Sequence, residues 1–397
     1  MMGGQNSKLP IGLQRQMEIY EKGLLRKAPS QPVKVEELEQ KAKERLKQEA
    51  YDYLTCGAGA EDTIRANREA FQHWHIVPRF LRNVEQRDLS VELFGQTFQA
   101  PILLAPIGVQ SILHKKAELA VARAARSVNM GLVLSSLSST TMEDVAEAIG
   151  DVPHWFQLYW PKNPELTASF LQRAERAGYS ALVVTLDTYL LSWRERDIQN
   201  AYLPFLKGEG LANFFSDPVF CSALEKPLKK NLIGAIRYFT EIFSNPALTW
   251  SDLPFLRQHT RQPILLKGIL DPEDARRAID HGMDGIIVSN HGGRQLDGAI
   301  AALEALPRVV DAVGDRLPVL FDSGIRRGPD IVKALALGAK CVLLGRPYCL
   351  GLAVNGEQGV ADVLRNLLAD FDLTLGLAGC ASLSELNRDM LVENKNS

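Results

Sequence analysis

A histidine and an arginine lie three residues apart just after an apolar run ends. The run Gly285–Val288 continues as Ser289-Asn290-His291-Gly292-Gly293-Arg294. Histidine, with an unperturbed pKa of about 6.5, suits proton abstraction near neutral pH, and a guanidinium can hold a carboxylate through two parallel hydrogen bonds. The pair therefore indicates a base and an anchor for a small organic acid. The alternative is a structural histidine in a glycine-rich turn, and residues at the ends of other runs bear on that choice.

Three apolar runs, this one included, end in polar side chains spaced two residues apart. Such pairs are Gln157 with Tyr159, Thr185 with Asp187, and Ser289 with His291. Residues two apart on a strand face the same side, so the earlier member of each pair is expected to lie deeper than the later one. Strands with only a structural role would carry Val, Leu or Ile at these positions. Because three runs carry polar residues at these positions, a functional site is favoured over isolated turns.

Charged residues at three further run ends suggest an anionic ligand. Lys267 ends an apolar run, where a buried ammonium is costly unless it has an anionic or electron-rich partner. The segments Asp322–Arg326 and Gly345-Arg346 combine glycine with arginine, and glycine lets backbone N–H groups approach a phosphate. Turn glycines beside solvated arginines are the alternative for these segments. We expect a ligand that carries a phosphate group.

Eight short apolar runs must position these side chains. They are Pro101–Ile107, Gly131–Ser136, His154–Trp160, Ser180–Asp187, Pro263–Ile269, Asp284–His291, Pro318–Ile325 and Cys341–Pro347. Their starts are 21 to 34 residues apart, enough for one strand and one helix, except for an 83-residue gap after Ser180. Helical spacing fills the intervals, as in Lys116–Val128, Pro164–Ala177, Asp271–His281 and Pro329–Leu337. The pattern predicts an α/β protein with a (β/α)₈ TIM barrel, whose active site lies at the carboxyl ends of the strands.

The rest of the chain is predicted to extend this barrel. Residues 1–78 are interpreted as an N-terminal helical extension with the first 15 residues disordered, and residues 79–397 as the barrel with a helical tail after Gly356. The long gap after the fourth strand holds an inserted segment, residues 192–250, which is rich in aromatic residues. An insertion of this length at the active end of a strand is either a lid or a packed excursion. The sequence leaves both alternatives open.

Composition and charge exclude several classes of function. The chain has 397 residues, 46% apolar and 23% charged, with a formal net charge of −2 and thus no basic excess for nucleic acid or anionic lipid. No apolar stretch approaches the roughly 18 residues of a membrane span, so we predict a cytoplasmic protein without a membrane partner. The five cysteines are odd in number and form no Cys-x-x-Cys pair, which predicts neither disulfides nor a metal site.

The residues described above resemble a known signature. The run Ser289–Asp297 is similar to that of the FMN-dependent 2-hydroxy-acid oxidising family, which includes glycolate oxidase, lactate oxidase, the flavocytochrome lactate dehydrogenases and lactate 2-monooxygenase. The likeness covers roughly Tyr20 to Leu386, and lactate 2-monooxygenase is the member that the chain resembles most. Further matching stretches are Glu61–Asn67, Arg87–Leu93, Trp155–Tyr159, Tyr202–Leu206 and Phe214–Phe220.

This resemblance implies roles for residues around the substrate. His291 resembles the family's base, and Asp187 the carboxylate that orients it. The clamp for the substrate carboxylate is matched by Arg194 and Arg294, and the tyrosines that hydrogen-bond the substrate are matched by Tyr53 and Tyr159, the latter counted with the catalytic residues. Leu137 departs from the tryptophan of glycolate oxidase-like members, which leaves the size of the substrate open.

The resemblance also implies FMN as the cofactor and a set of residues that bind it. Positions that match those around the isoalloxazine ring are Ala105, Pro106, Ile107, Gly108, Ser135, Gln157, Thr185, Lys267 and Ser289. Positions that match the ribityl and phosphate end are Asp322, Ser323, Gly324, Arg326, Gly345 and Arg346. The phosphate loop expected from the residue types thus coincides with the phosphate end of the family's cofactor.

An activity follows from the same resemblance. The enzyme would oxidise a small L-2-hydroxy acid, with L-lactate as the first candidate, and oxygen would accept the electrons. Early release of the keto acid would give pyruvate and hydrogen peroxide, whereas retention would lead to acetate, carbon dioxide and water. The long insertion favours retention, as does Gly108, where lactate 2-monooxygenase carries glycine and many relatives carry alanine. A plain oxidase, or a dehydrogenase with another electron acceptor, is the alternative activity. The family resemblance also suggests a homo-oligomer, either a tetramer or an octamer.

Two rival functions fit parts of the sequence. The segment Asp322–Arg346 also resembles phosphate-binding barrels such as inosine monophosphate dehydrogenase, which needs a nucleophilic cysteine in a loop after a strand. None of the five cysteines of this chain lies in such a loop with an activating partner beside it. The cysteines are Cys56, Cys221, Cys341, Cys349 and Cys380. An inactive flavin-carrying protein would be expected to lack a member of the set His291, Arg294, Asp187 and Lys267, and all of these are present.

Overall fold

Eight parallel strands close into a barrel in the computed structural model, which describes residues 9–394. The barrel strands are neighbours in chain order, and the last pairs with the first through Val342 and Ile102. The strands of the chain are β1 (Trp74–Ile76), β2 (Val91–Leu93), β3 (Gln96–Phe98), β4 (Ile102–Leu104), β5 (Gly131–Ser135), β6 (His154–Leu158), β7 (Leu182–Thr185), β8 (Ile264–Ile269), β9 (Gly285–Val288), β10 (Val319–Phe321), β11 (Cys341–Leu344) and β12 (Leu391–Glu393), of which β4 to β11 form the barrel. The predicted TIM barrel is confirmed, and each barrel strand lies within the apolar run that predicted it.

A side-chain cap marks where several of the helices after the barrel strands begin. The helices are α1 (Ile11–Leu24), α2 (Val35–Arg45), α3 (Gln48–Thr55), α4 (Asp62–Glu69), α5 (Ala117–Ser127), α6 (Met142–Ile149), α7 (Pro164–Arg176), α8 (Glu195–Gln199), α9 (Ala212–Phe215), α10 (Pro218–Ser222), α11 (Leu232–Phe243), α12 (Leu253–His259), α13 (Pro272–Asp280), α14 (Ala302–Val313), α15 (Gly328–Ala336) and α16 (Arg346–Leu377). α7 begins after Asn163, whose side chain accepts from Leu166 N at 3.0 Å, and proline holds its first position. The helices predicted between strands are present, with ends within one residue of the prediction.

The barrel interior is apolar at its amino-terminal end. One inward-facing residue from each strand forms this floor, and all are at most 1% exposed: Leu103, Val133, Trp155, Val183, Leu265, Ile287, Leu320 and Leu343. The hairpin of β2 and β3 closes this end with Phe98, whose ring lies edge-on to Trp155 at 5.7 Å. The next residue along each strand faces outward and packs against the helices. The floor supports whatever lies above it, towards the carboxyl ends.

The inserted segment between β7 and β8 is a packed part of the fold. Phe214 and Phe239 within it are at most 1% exposed, and Phe214 lies edge-on to Phe170 of α7 at 5.0 Å. Of the two alternatives, the packed excursion therefore describes residues 203–243 better than a lid does. A continuous exposed stretch, Tyr189–Trp193, lies shortly after β7, and its apolar side chains are more than half exposed.

The two ends of the described chain lie together. α1 packs along α16, where Gly12 N donates to Asp372 at 2.8 Å, and β1 pairs antiparallel with β12. Because α1 begins at Ile11, the prediction of disorder is wrong from that residue on, and residues 1–8 lie outside the described part. The part of α16 after the kink at Asn355 and Gly356 corresponds to the predicted helical tail. Within the described part of the chain, no helix is long and apolar enough to cross a bilayer.

Candidate active site

A second inward-facing layer lies two residues beyond the apolar floor. Its members are Ala105, Ser135, Gln157, Thr185, Lys267, Ser289, Asp322 and Gly345, and all but Gly345 are at most 7% exposed. Side chains two apart on a strand share a face, so these residues stand directly above the floor. Each of them is also a residue that the family resemblance assigns to the cofactor. The change from an apolar to a mostly polar layer forms the bottom of a pocket.

His291 and Asp187 form a dyad above this layer. His291 Nδ1 lies 2.7 Å from Asp187 Oδ1, and Thr188 Oγ1 donates to the same carboxylate oxygen at 3.0 Å. With Nδ1 bonded, Nε2 is the nitrogen left to accept a proton, and Tyr159 Oη lies 3.5 Å from it. His291 has a left-handed backbone with φ 57°, a strained conformation that clusters at functional sites. The barrel thus joins two residues that are 104 positions apart in the chain.

Burial and charge keep His291 neutral and Asp187 ionised. Burial lowers the pKa of His291 below its usual 6.5; the charge of Asp187 opposes this shift, and the cations Lys267 and Arg194 add to it. Burial alone would raise the pKa of Asp187, but His291 and Lys267 lower it on balance. A neutral imidazole can act as a base at neutral pH, and an ionised carboxylate stabilises the imidazolium that then forms.

Two guanidinium groups line the pocket beside the dyad. Arg194 lies 3.9 Å from Asp197, the one ion pair that either arginine makes within residues 9–394. Arg294 donates to the carbonyl oxygen of Cys56 at 2.7 Å and lies over the ring of Tyr53. Burial and the charge of Arg294 lower the pKa of Arg194. Two weakly compensated positive charges in one pocket form a binding site for a carboxylate.

Lys267 holds a positive charge at the bottom of the pocket. Its Nζ lies 2.9 Å from Asp322 Oδ2 and donates to Ser289 Oγ at 2.9 Å. Burial alone would lower the pKa of Lys267, but the carboxylates of Asp322 and Asp187 raise it, so the ammonium stays charged. In the same layer, Gln157 is fully buried and its Nε2 has no hydrogen-bond partner among the described residues. A charged donor and an unsatisfied amide donor in one layer fit an acceptor-rich ligand such as a flavin ring.

The loops after β10 and β11 add positive charge to the pocket. Arg346 donates to the carbonyl oxygens of Gly292 at 3.0 Å and Cys56 at 3.1 Å. Arg326 donates to that of Ile325 at 2.9 Å. Burial and neighbouring arginines lower the pKa of Arg346 to about 9 and that of Arg326 to about 10. Because α16 also begins here, and helix N-termini attract anions, the residues present fit the phosphate of a mononucleotide such as FMN.

One pocket unites most of the predicted site residues. The predicted residues that line it are Tyr53, Ala105, Pro106, Ile107, Gly108, Ser135, Tyr159, Arg194, Lys267, His291, Arg294, Asp322, Ser323, Gly324, Arg326, Gly345 and Arg346. Thr185 and Asp187 line a neighbouring cavity instead, and Gln157 and Ser289 are fully buried. Asp187 reaches the pocket through its contact with His291, and Ser289 reaches it through the hydrogen bond from Lys267.

Sequence reasoning missed part of the pocket wall. The missed residues are Leu54, Val109, Ile112, Leu113, Thr188, Leu191, Phe205, Phe243, Gly292, Ile325 and Leu343. Thr188 directly follows Asp187, and its place next to a predicted site residue could have indicated that it lines the pocket. Phe205 and Phe243 belong to the aromatic insertion, but no local pattern tells which of its rings reach the pocket.

Comparisons with known proteins give one consistent result. The model of the family "FMN-dependent dehydrogenase" matches residues 42–393. The chain is 44% identical over 380 residues to the FMN-dependent alpha-hydroxy acid dehydrogenase qulF of Penicillium citrinum, covering 95% of this chain and 94% of that protein. It is 44% identical over 363 residues to an L-lactate oxidase of Lysinibacillus sphaericus, covering 91% and 93%. The crystal structure of mandelate oxidase is similar, with a TM-score of 0.81, 38% identity, and coverage of 91% of this chain and 98% of that one.

Proposed function

Because this chain belongs to the family of FMN-dependent dehydrogenases, which oxidise 2-hydroxy acids, we propose that it oxidises L-lactate with oxygen as acceptor and yields acetate, carbon dioxide and water. One observation carries the proposal. A half-buried histidine bonded to the carboxylate of Asp187 shares a pocket with two guanidinium groups, Arg194 and Arg294. A base beside a carboxylate clamp is the arrangement that deprotonation of a 2-hydroxy acid requires.

We propose that FMN is held by the polar layer at one end and by the arginine loops at the other. Lys267, Gln157 and the backbone of Ala105–Gly108 would bind the ring, and Arg326 and Arg346 would bind the phosphate. When bound, FMN supplies the acceptor for two electrons from the substrate carbon and passes them to oxygen. Lys267 contributes positive charge at the ring end.

The protein's own residues would bind the substrate and move its proton. Arg194 and Arg294 bind the carboxylate and so orient the hydroxyl-bearing carbon. His291 Nε2 takes the proton, while Asp187 accepts the Nδ1–H hydrogen bond and stabilises the imidazolium. Burial and the charge of Asp187 raise the pKa of Tyr159, so its hydroxyl stays protonated and can donate to the substrate oxygen.

Bulky apolar side chains in the pocket lining favour a short substrate. Leu137, Phe205 and Phe243 line the pocket and are 5%, 5% and 7% exposed. Tyr159 lies edge-on to Phe243 at 5.5 Å, so this wall is itself packed. Such a wall supports the methyl group of L-lactate over the phenyl group of mandelate.

The proposed products depend on how long the keto acid stays in the pocket. Phe205 and Phe243 come from the packed insertion and close one side, which favours retention. The resemblance also links Gly108 to retention, and a Cβ there would lie 2.7 Å from the carbonyl oxygen of Leu137, so the position excludes a side chain. Hydrogen peroxide formed beside retained pyruvate would convert it to acetate, carbon dioxide and water. The exposed stretch Tyr189–Trp193 and the relative named L-lactate oxidase support a second candidate, release of pyruvate and peroxide.

We expect L-lactate to bleach the flavin absorbance of the purified holoenzyme in the absence of oxygen and of NAD. D-lactate, glycolate and L-mandelate serve as comparisons. We expect D-lactate to reduce the flavin more slowly because of its chirality, and glycolate and L-mandelate because of their size. Under air without catalase, each oxygen consumed should yield one acetate and little peroxide. One peroxide per oxygen without acetate would replace the proposed products by those of a plain oxidase. Failure of every 2-hydroxy acid to bleach the flavin would overturn the proposed activity itself.

We expect kcat/KM for L-lactate to fall at low pH, with a midpoint below the 6.5 of an ordinary histidine. His291 works as a base only when neutral, so activity is full above its lowered pKa and is lost as the pH falls through it. Because Asp187 raises the pKa of His291, Asp187→Asn should shift this acid limb to lower pH as well as slow the reaction. Asp311→Asn, at an exposed carboxylate, is the matched control and should leave the profile unchanged. A midpoint that Asp187→Asn raises would contradict the assignment.

Several expectations remain predictions. The resemblance suggests a tetramer or octamer, which light scattering would measure. Composition suggests a cytoplasmic location and no nucleic-acid partner. The division into residues 1–78 and 79–397 also stays a prediction, and the pairing of β1 with β12 links the two parts.

A further inference from the structure

Val109, in the loop after β4, has a strained backbone in the wall of the pocket. Its φ is 59°, in the left-handed region that a β-branched residue rarely adopts. Such a conformation persists only where surrounding contacts hold it. Val109 N donates to the carbonyl oxygen of Leu137 at 2.9 Å, which is one such contact. Val109 follows Gly108 on the pocket lining, so its conformation shapes the wall assigned to the ring of FMN.

A second set of contacts comes from the insertion, through residues Glu209–Asn213, here called the strap. The strap bonds to the loops after β4 and β5 in three places: Glu209 accepts from Ser111 Oγ, Ala212 N donates to the carbonyl oxygen of Ser138 at 3.0 Å, and Asn213 Nδ2 donates to that of Ser136 at 3.3 Å. Asn213 is fully buried. The strap therefore ties together two loops that precede it by about 70 to 100 residues in the chain.

Gly210 lies at the point where the strap meets the strained residue. A Cβ on Gly210 would lie 2.8 Å from Val109 Cγ2 and 2.9 Å from the carbonyl oxygen of Leu137, the same oxygen that Val109 N bonds. These distances are shorter than real Cβ contacts, so any side chain here must displace Val109 or Leu137. The backbone of the strap is thus in direct contact with the pocket wall.

We propose that Gly210 is a positioning residue through which the strap holds Val109 left-handed and thereby fixes the Pro106–Val109 wall of the FMN pocket. The inference deepens the proposed function, on which it rests for the identity of the ligand. It assigns the packed insertion a role as a scaffold for the cofactor wall. Among the described residues the strap shares no hydrogen bond with His291 or Asp187, so it would act on the binding of FMN and not on the base.

The test compares Gly210→Ala with Gly208→Ala. Gly208 has φ 79°, close to the 75° of Gly210, but its Cβ would meet nothing nearer than 3.8 Å. Alanine therefore adopts a similarly unfavourable φ at both positions and disturbs Val109 only from position 210. We expect the Kd of the apoprotein for FMN, followed by quenching of flavin fluorescence, to rise about tenfold or more in Gly210→Ala and less than about twofold in Gly208→Ala.

Hydrogen exchange provides a readout that does not need the cofactor. Amides of residues 105–113 in the apoprotein should exchange faster in Gly210→Ala than in Gly208→Ala or the unchanged protein. Equal exchange in the two variants, with equal Kd values, would overturn the proposal. If the unchanged protein did not bind FMN, the proposed function would fail. Faster exchange confined to Gly210→Ala would still support the role of the strap in holding Val109.

A second variant covers the case in which Gly210→Ala does not fold. Glu209→Gln keeps the shape of the strap and removes the charge that accepts from Ser111. It should also speed exchange in residues 105–113, by less than Gly210→Ala, since the contact of Gly210 with Val109 is kept. Exchange identical to that of the unchanged protein would count against the strap.

Discussion

Replacing His291 with alanine is expected to slow anaerobic reduction of the flavin by L-lactate about 10²- to 10⁴-fold, because the site loses its proton acceptor. FMN should remain bound, since His291 contacts Asp187 and Tyr159 and is not part of the phosphate site. The rate is measured by stopped-flow absorbance, and bound FMN by the ratio of flavin to protein absorbance.

The left-handed backbone of His291 calls for a matched second variant. Alanine tolerates φ 57° poorly, so His291→Ala removes the base and also strains the loop. His291→Asn adopts this conformation more readily and should lose the same rate with less effect on stability. Tyr159→Phe, which removes only the hydroxyl 3.5 Å from Nε2, should cost less than either. Reduction of His291→Asn at nearly the unchanged rate would show that another group takes the proton.

Replacing Arg294 with methionine is expected to raise KM for L-lactate about 10²-fold, or ~3 kcal/mol, with a smaller effect on kcat. The substrate carboxylate would lose one of two guanidinium partners, and Arg194 alone would have to hold it. Arg294→Lys should recover part of the loss, because an ammonium restores the charge without the paired hydrogen bonds. Steady-state kinetics at saturating oxygen give both constants.

The control for Arg294 must separate charge recognition from general damage. L-Lactamide lacks the carboxylate charge, so its KM should change much less than that of L-lactate in Arg294→Met. Arg294 also contacts Cys56 and Tyr53, and for that reason FMN content and thermal unfolding are compared with those of Arg276→Met, at an exposed arginine. Equal increases for lactate and lactamide would refute the role of Arg294 as a carboxylate clamp.

The polar inner layer could be predicted from the sequence because it follows from short-range rules, whereas its assignment to FMN and the pairing of Asp187 with His291 came from the family resemblance. Strand residues alternate between faces with a period of two, so Gln157 and Thr185 had to share the inner face with the residues below them. A closed parallel barrel brings all carboxyl ends to one mouth, which predicts that Asp187 and His291 lie at the same end of the barrel. Polar residues at these positions then stood out, since packing alone would have selected apolar ones.

Only the tertiary structure decided what irregular segments contact, because such contacts have no period and depend on distant packing. The carbonyl oxygen of Cys56 receives both Arg294 and Arg346, and no local pattern places that oxygen between them. Helix α1 was predicted as partly disordered, yet it packs along α16, a partner some 350 residues away. The sequence of the insertion allows two interpretations, a lid or a packed excursion. Its buried rings and the contact of Gly210 with Val109 decide between them, since burial of a loop is a property of the whole fold.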